Sequence, residues 1–133
     1  MLRSQAAVMV EEFHHAYGVP VRTTPSLDVG FRLQELRQSL MREELDEVCA
    51  ALDRGDLVEV ADGLADLLYV VYGTALTFGI DLDAVVREVH RSNMTKLGPD
   101  GRPLYREDGK VMKGTGFELP RIAEVLNLAG EEV

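Results

Sequence analysis

Residues 40–66, LMREELDEVCAALDRGDLVEVADGLAD, decide how the rest of the chain is read. They hold nine acids (Glu43, Glu44, Asp46, Glu47, Asp53, Asp56, Glu59, Asp62, Asp66) and two arginines (Arg42, Arg54), a net −7 against −9 for all 133 residues. Gly55-Asp56 divides the stretch. Before it, Phe31, Leu33, Leu36, Leu40, Leu45, Val48 and Leu52 recur mostly every three or four residues. That spacing predicts a helix over 29–54, with Ser26 or Asp28 as its N-cap. After it, a second helix is predicted over 57–79, stopped by Gly79. Two helices joined by so short a turn run antiparallel.

On the first helix Glu43, Glu44 and Glu47 fall on one stripe, and on the second Glu59, Asp62 and Asp66 sit at i, i+3 and i+7. Counted outward from the turn, Glu47 lies about as far away as Glu59 to Asp66 do, so the two stripes can face each other. Two carboxylates about 6 Å apart repel by roughly 3 kcal/mol at an effective dielectric near 20. Four or five together need a hard divalent cation with oxygen ligands, or else take up protons. A solvated helix face is the plain alternative for Glu43 to Glu47. It fits Glu59, Asp62 and Asp66 less well, because their helical neighbours are apolar.

Working outward, Leu57, Val58, Val60, Ala61, Leu64, Leu67, Leu68, Val70, Val71, Leu76 and Phe78 cover almost the whole circumference of helix 57–79. Such a helix is buried on most sides. Self-association into a homodimer or homotetramer covers the surplus, the alternative being a central helix enclosed within a monomer. Upstream, residues 4–17 read as a short amphipathic helix ended by Gly18-Val19-Pro20. Downstream, a helix over about 82–96 follows Asp81. Pro103-Leu104-Tyr105 suits a short strand, Glu107-Asp108-Gly109-Lys110 a hairpin turn, and Pro120 the first turn of a last helix over 120–128. The expectation is an all-α class in one domain, 1–133, a bundle of four to five helices with a basic loop or small hairpin near the C-terminus.

Seven bases and four acids between Arg87 and Lys113 give that segment +3. The overall acidity argues against a nucleic-acid polymer or an anionic membrane as partner, though not against a small anion held through metal ions. The longest uncharged apolar run, residues 67–80, is too short for a membrane span. No signal-like apolar segment opens the chain and the single Cys49 offers no internal disulfide, so a cytoplasmic protein is expected. Cys49 itself reads as a small core residue. His14, His15 and His90 are not spaced as a transition-metal set.

Glu43-Glu44-Leu45-Asp46-Glu47 followed by Glu59-Val60-Ala61-Asp62 resembles the EExxE…ExxD signature of the all-α nucleoside triphosphate pyrophosphatases, the MazG-like group. That group includes the dimeric all-α dUTPases and the phosphoribosyl-ATP pyrophosphohydrolases. Ser92-Asn93-Met94-Thr95-Lys96 and Asp108-Gly109-Lys110-Val111-Met112-Lys113-Gly114 are similar to the tail of one MazG-like subgroup. The resemblance implies Mg²⁺- or Mn²⁺-dependent hydrolysis between the α and β phosphates, giving a nucleoside monophosphate and pyrophosphate, in a house-cleaning role with dUTP the leading substrate. It implies Glu44, Glu47, Glu59 and Asp62 as metal ligands, and Glu43 as a ligand or water-orienting base beside Glu47. Asp66 lies beyond the core motif and is expected just outside the ligand set. Lys96, Lys110 and Lys113 are then candidates for the triphosphate, with Arg91 a weaker one. Asn93 and Tyr105 are candidates for the nucleoside, and Phe13, His14, Gln34 and Gln38 are further pocket residues if their helices flank the cleft. The alternatives are phosphoribosyl-ATP hydrolysis in histidine synthesis and a non-enzymatic helical interaction protein with merely solubilising acids.

Overall fold

Capping chemistry sets where the helices begin and end. In a computed structural model of the chain, which describes residues 3–128, the order is α1 (Gln5–Tyr17), α2 (Phe31–Arg54), α3 (Leu57–Phe78), α4 (Leu82–Met94), β1 (Leu104–Tyr105), β2 (Val111–Met112) and α5 (Ile122–Val125). The fold is all-α with one small hairpin, in keeping with the periodicities. Ser4 Oγ accepts the Ala7 N–H at 3.1 Å, and Asp56 Oδ1 accepts that of Glu59 at 3.1 Å. Each satisfies a donor that the first helical turn leaves open. Gly55, at φ 71°, ends α2 in the left-handed region and lets the chain reverse at once into α3.

Two boundaries depart from the sequence expectation. Neither Ser26 nor Asp28 caps α2; its N-cap is Gly30, at φ 89° and without a side-chain bond. Ser26 Oγ instead accepts the Asp28 N–H at 3.0 Å, a local turn that uses the would-be capping oxygen. The last helix is a single turn, and Pro120 precedes its N-cap Arg121 rather than opening it. The loop after α1 is tied to the end of α3. Arg22 N–H donates to Leu76 O at 2.8 Å, Ser26 N–H to Phe78 O at 2.9 Å, and Arg22 Nη1 to Thr77 O at 2.9 Å. Carbonyls at the end of α3 thereby gain partners, that of Leu76 in addition to the Gly79 N–H at 3.3 Å.

The chain divides into two units, one running to Asp81 and the other beginning at Leu82. In the first, α3 packs on α2 and on α1 around Val10, Val48, Ala51, Ala75 and Phe78. α2 and α3 approach closely at Gly63, where a Cβ would lie 3.0 Å from Val48 Cβ. A polar knot sits deeper in this unit. Arg37, 5% exposed, donates through Nε to Thr74 Oγ1 at 3.1 Å and through Nη2 to Val70 O at 2.9 Å. His14 is buried as well, with Nδ1 3.1 Å from Pro20 O, and burial pushes the pKa of both groups down. Gly73 makes the room, since a Cβ there would fall 2.5 Å from Arg37 Nη2 and 2.8 Å from His14 Nε2.

In the second unit Glu88 anchors the segment that follows the hairpin. Its carboxylate accepts Arg91 Nε and Nη2 at 2.9 and 2.8 Å and the Arg121 N–H at 2.8 Å. Ser92 Oγ donates to Glu118 O at 2.7 Å, and Thr95 Oγ1 accepts the Glu118 N–H at 2.9 Å. In the antiparallel hairpin Leu104 faces Met112 and Tyr105 faces Val111, on the strands that the turn residues indicated.

The apolar circumference of α3 is only partly covered. Leu57, Val58, Leu64 and Leu68 are 80, 75, 55 and 49% exposed. The described elements of one chain therefore do not enclose this helix. Cys49, read as a core residue, is exposed on α2, because the buried face of that helix passes through Val48 and Ala51 instead. Among the described residues no single helix is long and apolar enough to cross a membrane.

Candidate metal centre

The Val48–Gly63 contact fixes the distance between the two acidic stripes. Because a glycine stands on α3 at this point, α2 and α3 close to backbone range, and the carboxylates one residue or one turn away converge. Glu44 and Glu47 from α2 and Asp66 from α3 each offer an oxygen, and the three oxygens lie within 4.8 Å of one another. Glu44 Oε2 is shielded from solvent and has no hydrogen-bond partner among the described residues. Its carboxyl is pushed above the usual carboxylate range, first by loss of solvent and then by the charges of Glu47 and Asp66. A carboxylate oxygen left unpaired beside two others is costly on its own and well suited to a hard cation.

Glu47 also borders a cleft of about 170 Å³ shared with Ala50, Arg54, Glu59, Asp62 and Gly63. The residues singled out by sequence are thus divided. Glu44 and Glu47 stand with Asp66, while Glu59 and Asp62 line the adjoining cleft with Glu47. Asp66, expected just outside the ligand set, is in the tight cluster; Arg54, not singled out at all, lies in the cleft. A signal for Asp66 was present, since it continues the Glu59–Asp62 stripe by one turn. Glu43 is exposed on α2.

Among the pocket candidates of the first unit, His14 belongs to the buried knot with Arg37, and Gln38 is exposed. Phe13 is partly exposed and packs at 4.5 Å between ring centroids on Tyr17 and edge-on at 5.6 Å on Tyr69. Beside them an apolar groove of about 160 Å³ is lined by Met9, Ala65, Leu68, Tyr69 and Tyr72.

Within the second unit, Lys96 and Lys113 share the ring of Phe117, with Nζ 6.0 and 4.9 Å from its centroid. Lys110 is set at the hairpin turn, its backbone N–H bonded to Asp108 Oδ1 at 3.1 Å. Arg91, the weaker phosphate candidate, is paired with Glu88 and Glu118. Asn93 and Tyr105 are exposed. Phe117 was not singled out by sequence, because one of its two partners, Lys96, lies about twenty residues upstream.

The model of the phosphoribosyl-ATP pyrophosphohydrolase family matches residues 10–93, which include every acidic residue of the site. An uncharacterised protein of Acanthamoeba polyphaga mimivirus is 32% identical over 112 residues, covering 82% of this chain and 42% of the viral one. The chain therefore spans less than half the length of that relative. A solved structure from Exiguobacterium sp. 255-15, described as a candidate NTP pyrophosphohydrolase, is similar over 99% of this chain and 100% of its own, with a TM-score of 0.51 and 23% identity. At that identity the likeness speaks for the fold.

Proposed function

Because the chain belongs to the phosphoribosyl-ATP pyrophosphohydrolase family, within the MazG-like all-α superfamily, we propose that it is a divalent-metal-dependent nucleoside triphosphate pyrophosphohydrolase. The observation that carries this reading is the unpaired, shielded oxygen of Glu44 set within 4.8 Å of Glu47 and Asp66 oxygens. The donor set is all carboxylate oxygen, which fits Mg²⁺ or Mn²⁺ and does not suit softer ions. Glu44, Glu47 and Asp66 would hold one cation, with Glu59 and Asp62 available in the adjoining cleft. Bound there, the ion would neutralise phosphate oxygens and make a nearby water more acidic.

The chain's own residues do the rest. Glu43 or Glu47 accepts the proton of the attacking water. The water oxygen bonds to the α phosphorus, the bond from that phosphorus to the bridging oxygen breaks, and pyrophosphate leaves with the electron pair. Lys96, Lys110 and Lys113 supply positive charge for the phosphates, and Asn93 and Tyr105 supply contacts for the nucleoside. Mutual covering of the exposed α3 residues makes a homodimer or homotetramer the working assembly. The net charge keeps nucleic-acid polymers away.

A panel of canonical and non-canonical triphosphates tests the activity, with dUTP first and phosphoribosyl-ATP included because the family model bears that name. We expect pyrophosphate and a monophosphate in Mg²⁺ or Mn²⁺ and no turnover in EDTA. Glu47→Gln is expected to lower turnover by at least about 100-fold with an unchanged circular-dichroism spectrum. Release of orthophosphate alone would remove the assignment to α–β cleavage.

A further inference from the structure

The carboxylates Glu44, Glu47 and Asp66 are bracketed by two unlike contacts between the helices that carry them. On one side stands the apolar approach of Val48 to Gly63. On the other, Arg37 reaches from α2 to Thr74 Oγ1 at 3.1 Å and to Val70 O at 2.9 Å on α3. Arg37 and Glu44 are seven residues apart, and Asp66 and Val70 four, so each pair shares a helix face. The arginine contact therefore lies on the same α2–α3 seam, two turns or about 10 Å along α2 from Glu44. Gly73 opens the space for it. A Cβ there would fall 2.5 Å from Arg37 Nη2 and 2.8 Å from Nε2 of His14, which closes the side toward α1.

Packing alone does not account for this contact. Arg37 is buried and has no ion-pair partner among the described residues. A guanidinium in that position costs stability that an apolar side chain of similar volume would not. What it adds is direction. Thr74 Oγ1 is itself oriented, donating to Val70 O at 2.7 Å, so the planar fork of Arg37 meets two fixed acceptors. Apolar surfaces tolerate sliding, whereas such a pair of bonds fixes both the axial register of α3 and its rotation. The convergence of the three carboxylates depends on both. A slip of one residue would carry Asp66 about 1.5 Å along the helix and about 100° around it.

We propose that Arg37 is a positioning residue for the metal centre: its bonds to Thr74 and Val70 hold α3 in the register at which Asp66 meets Glu44 and Glu47, and so set the affinity of the site for a divalent ion. This rests on the metal-centre part of the function proposed above.

The test is titration of Mn²⁺ into the metal-free full chain, followed by electron paramagnetic resonance of the free ion, beside melting curves in EDTA. Arg37→Met keeps the length of the side chain and removes its charge and both bonds. Val70 O and Thr74 Oγ1 still hold each other, so no polar group is left unpaired. Mn²⁺ affinity is expected to fall about tenfold while Tm in EDTA is unchanged or raised. Thr74→Val should weaken binding by a smaller factor, and Arg37→Lys, which keeps the charge but not the fork, should not restore wild-type affinity. Val10→Ala, a deletion in the buried core on α1, should lower Tm and leave the affinity unchanged. Wild-type affinity in either Arg37 variant, or equal weakening by Val10→Ala, would overturn the proposal. If Arg37→Met does not fold, Arg37→Lys and Thr74→Val decide. A wild type that binds no Mn²⁺ would overturn the metal centre and the positioning role together. Binding that Arg37→Met weakens, without turnover of any triphosphate, would overturn the pyrophosphohydrolase reading and leave the positioning role standing.

Discussion

Glu44 shows how one side chain carries the case for a metal. Its shielded Oε2 has no partner among the described residues, and Glu47 and Asp66 add two more negative oxygens within 4.8 Å. Without an ion this arrangement is self-repelling; with one it is a ligand set. Glu44→Gln removes one charge and keeps the shape. We expect it to raise Tm in EDTA, to abolish the Tm increase expected of the wild type in millimolar Mg²⁺ or Mn²⁺, and to lower turnover by about 100-fold. A melting curve with and without the ion checks all but the last. An ion-dependent shift of wild-type size in Glu44→Gln would remove Glu44 from the site. The acidic motifs were legible at this scale, since two sets of carboxylates at helical spacing need no tertiary information. The place of Asp66 was not. Whether it or Asp62 comes nearest Glu44 depends on how α3 is rotated and how closely it approaches α2.

That approach belongs to the elements. Val48 and Gly63 meet at a distance that leaves little room for a methyl group, with a new Cβ 3.0 Å from Val48 Cβ. Gly63→Ala is therefore expected to cost about 1–3 kcal/mol in urea unfolding, by forcing the helices apart, and to weaken the ion-dependent Tm shift with it. Pairing it with Val48→Ala should restore part of both, a coupling that a double-mutant cycle reads directly. In the second unit the Glu88 carboxylate holds α4 to the backbone of Arg121. The Arg91 hydrogen bonds, then the Arg121 N–H, keep its pKa near about 2, well below the ordinary 4.5. A carboxylate depressed on folding stabilises above its unfolded pKa and loses that contribution as pH falls through the folded one. Protection of the Arg121 amide from hydrogen exchange should accordingly hold above pH 4.5 and fade toward pH 2. Glu88→Gln should show the unprotected rate throughout. Stops made the helices readable, with Gly18, Gly55 and Gly79 each at an expected end, while the caps Ser4 and Asp56 emerge only in the structure. The start of α2 was misread because Ser26 spends its oxygen inside its own loop, a choice that local sequence leaves open.

At the scale of the molecule the exposed face of α3 sets the strongest expectation. Leu64 and Leu68 stay about half exposed although their helix is apolar nearly all round. Fully burying a leucine is worth about 1.5–3 kcal/mol, and we propose that a second copy of the chain supplies the cover. Light scattering should give the mass of a dimer or tetramer. Leu64→Glu with Leu68→Glu should give a monomer with a lowered Tm, and an unchanged mass would place the interface elsewhere. The sequence by itself determined the helices, the antiparallel α2–α3 pair and the acidic character of the site, because these follow from periodicity, turn chemistry and the count of charges within a few turns. Tertiary structure decided which carboxylates meet, which face of α2 is buried and so leaves Cys49 outside, and which two of the three lysines share Phe117. Those outcomes depend on close contacts at Gly63 and Gly114, where a missing side chain lets backbones approach, and no local pattern states which partner will fill the space.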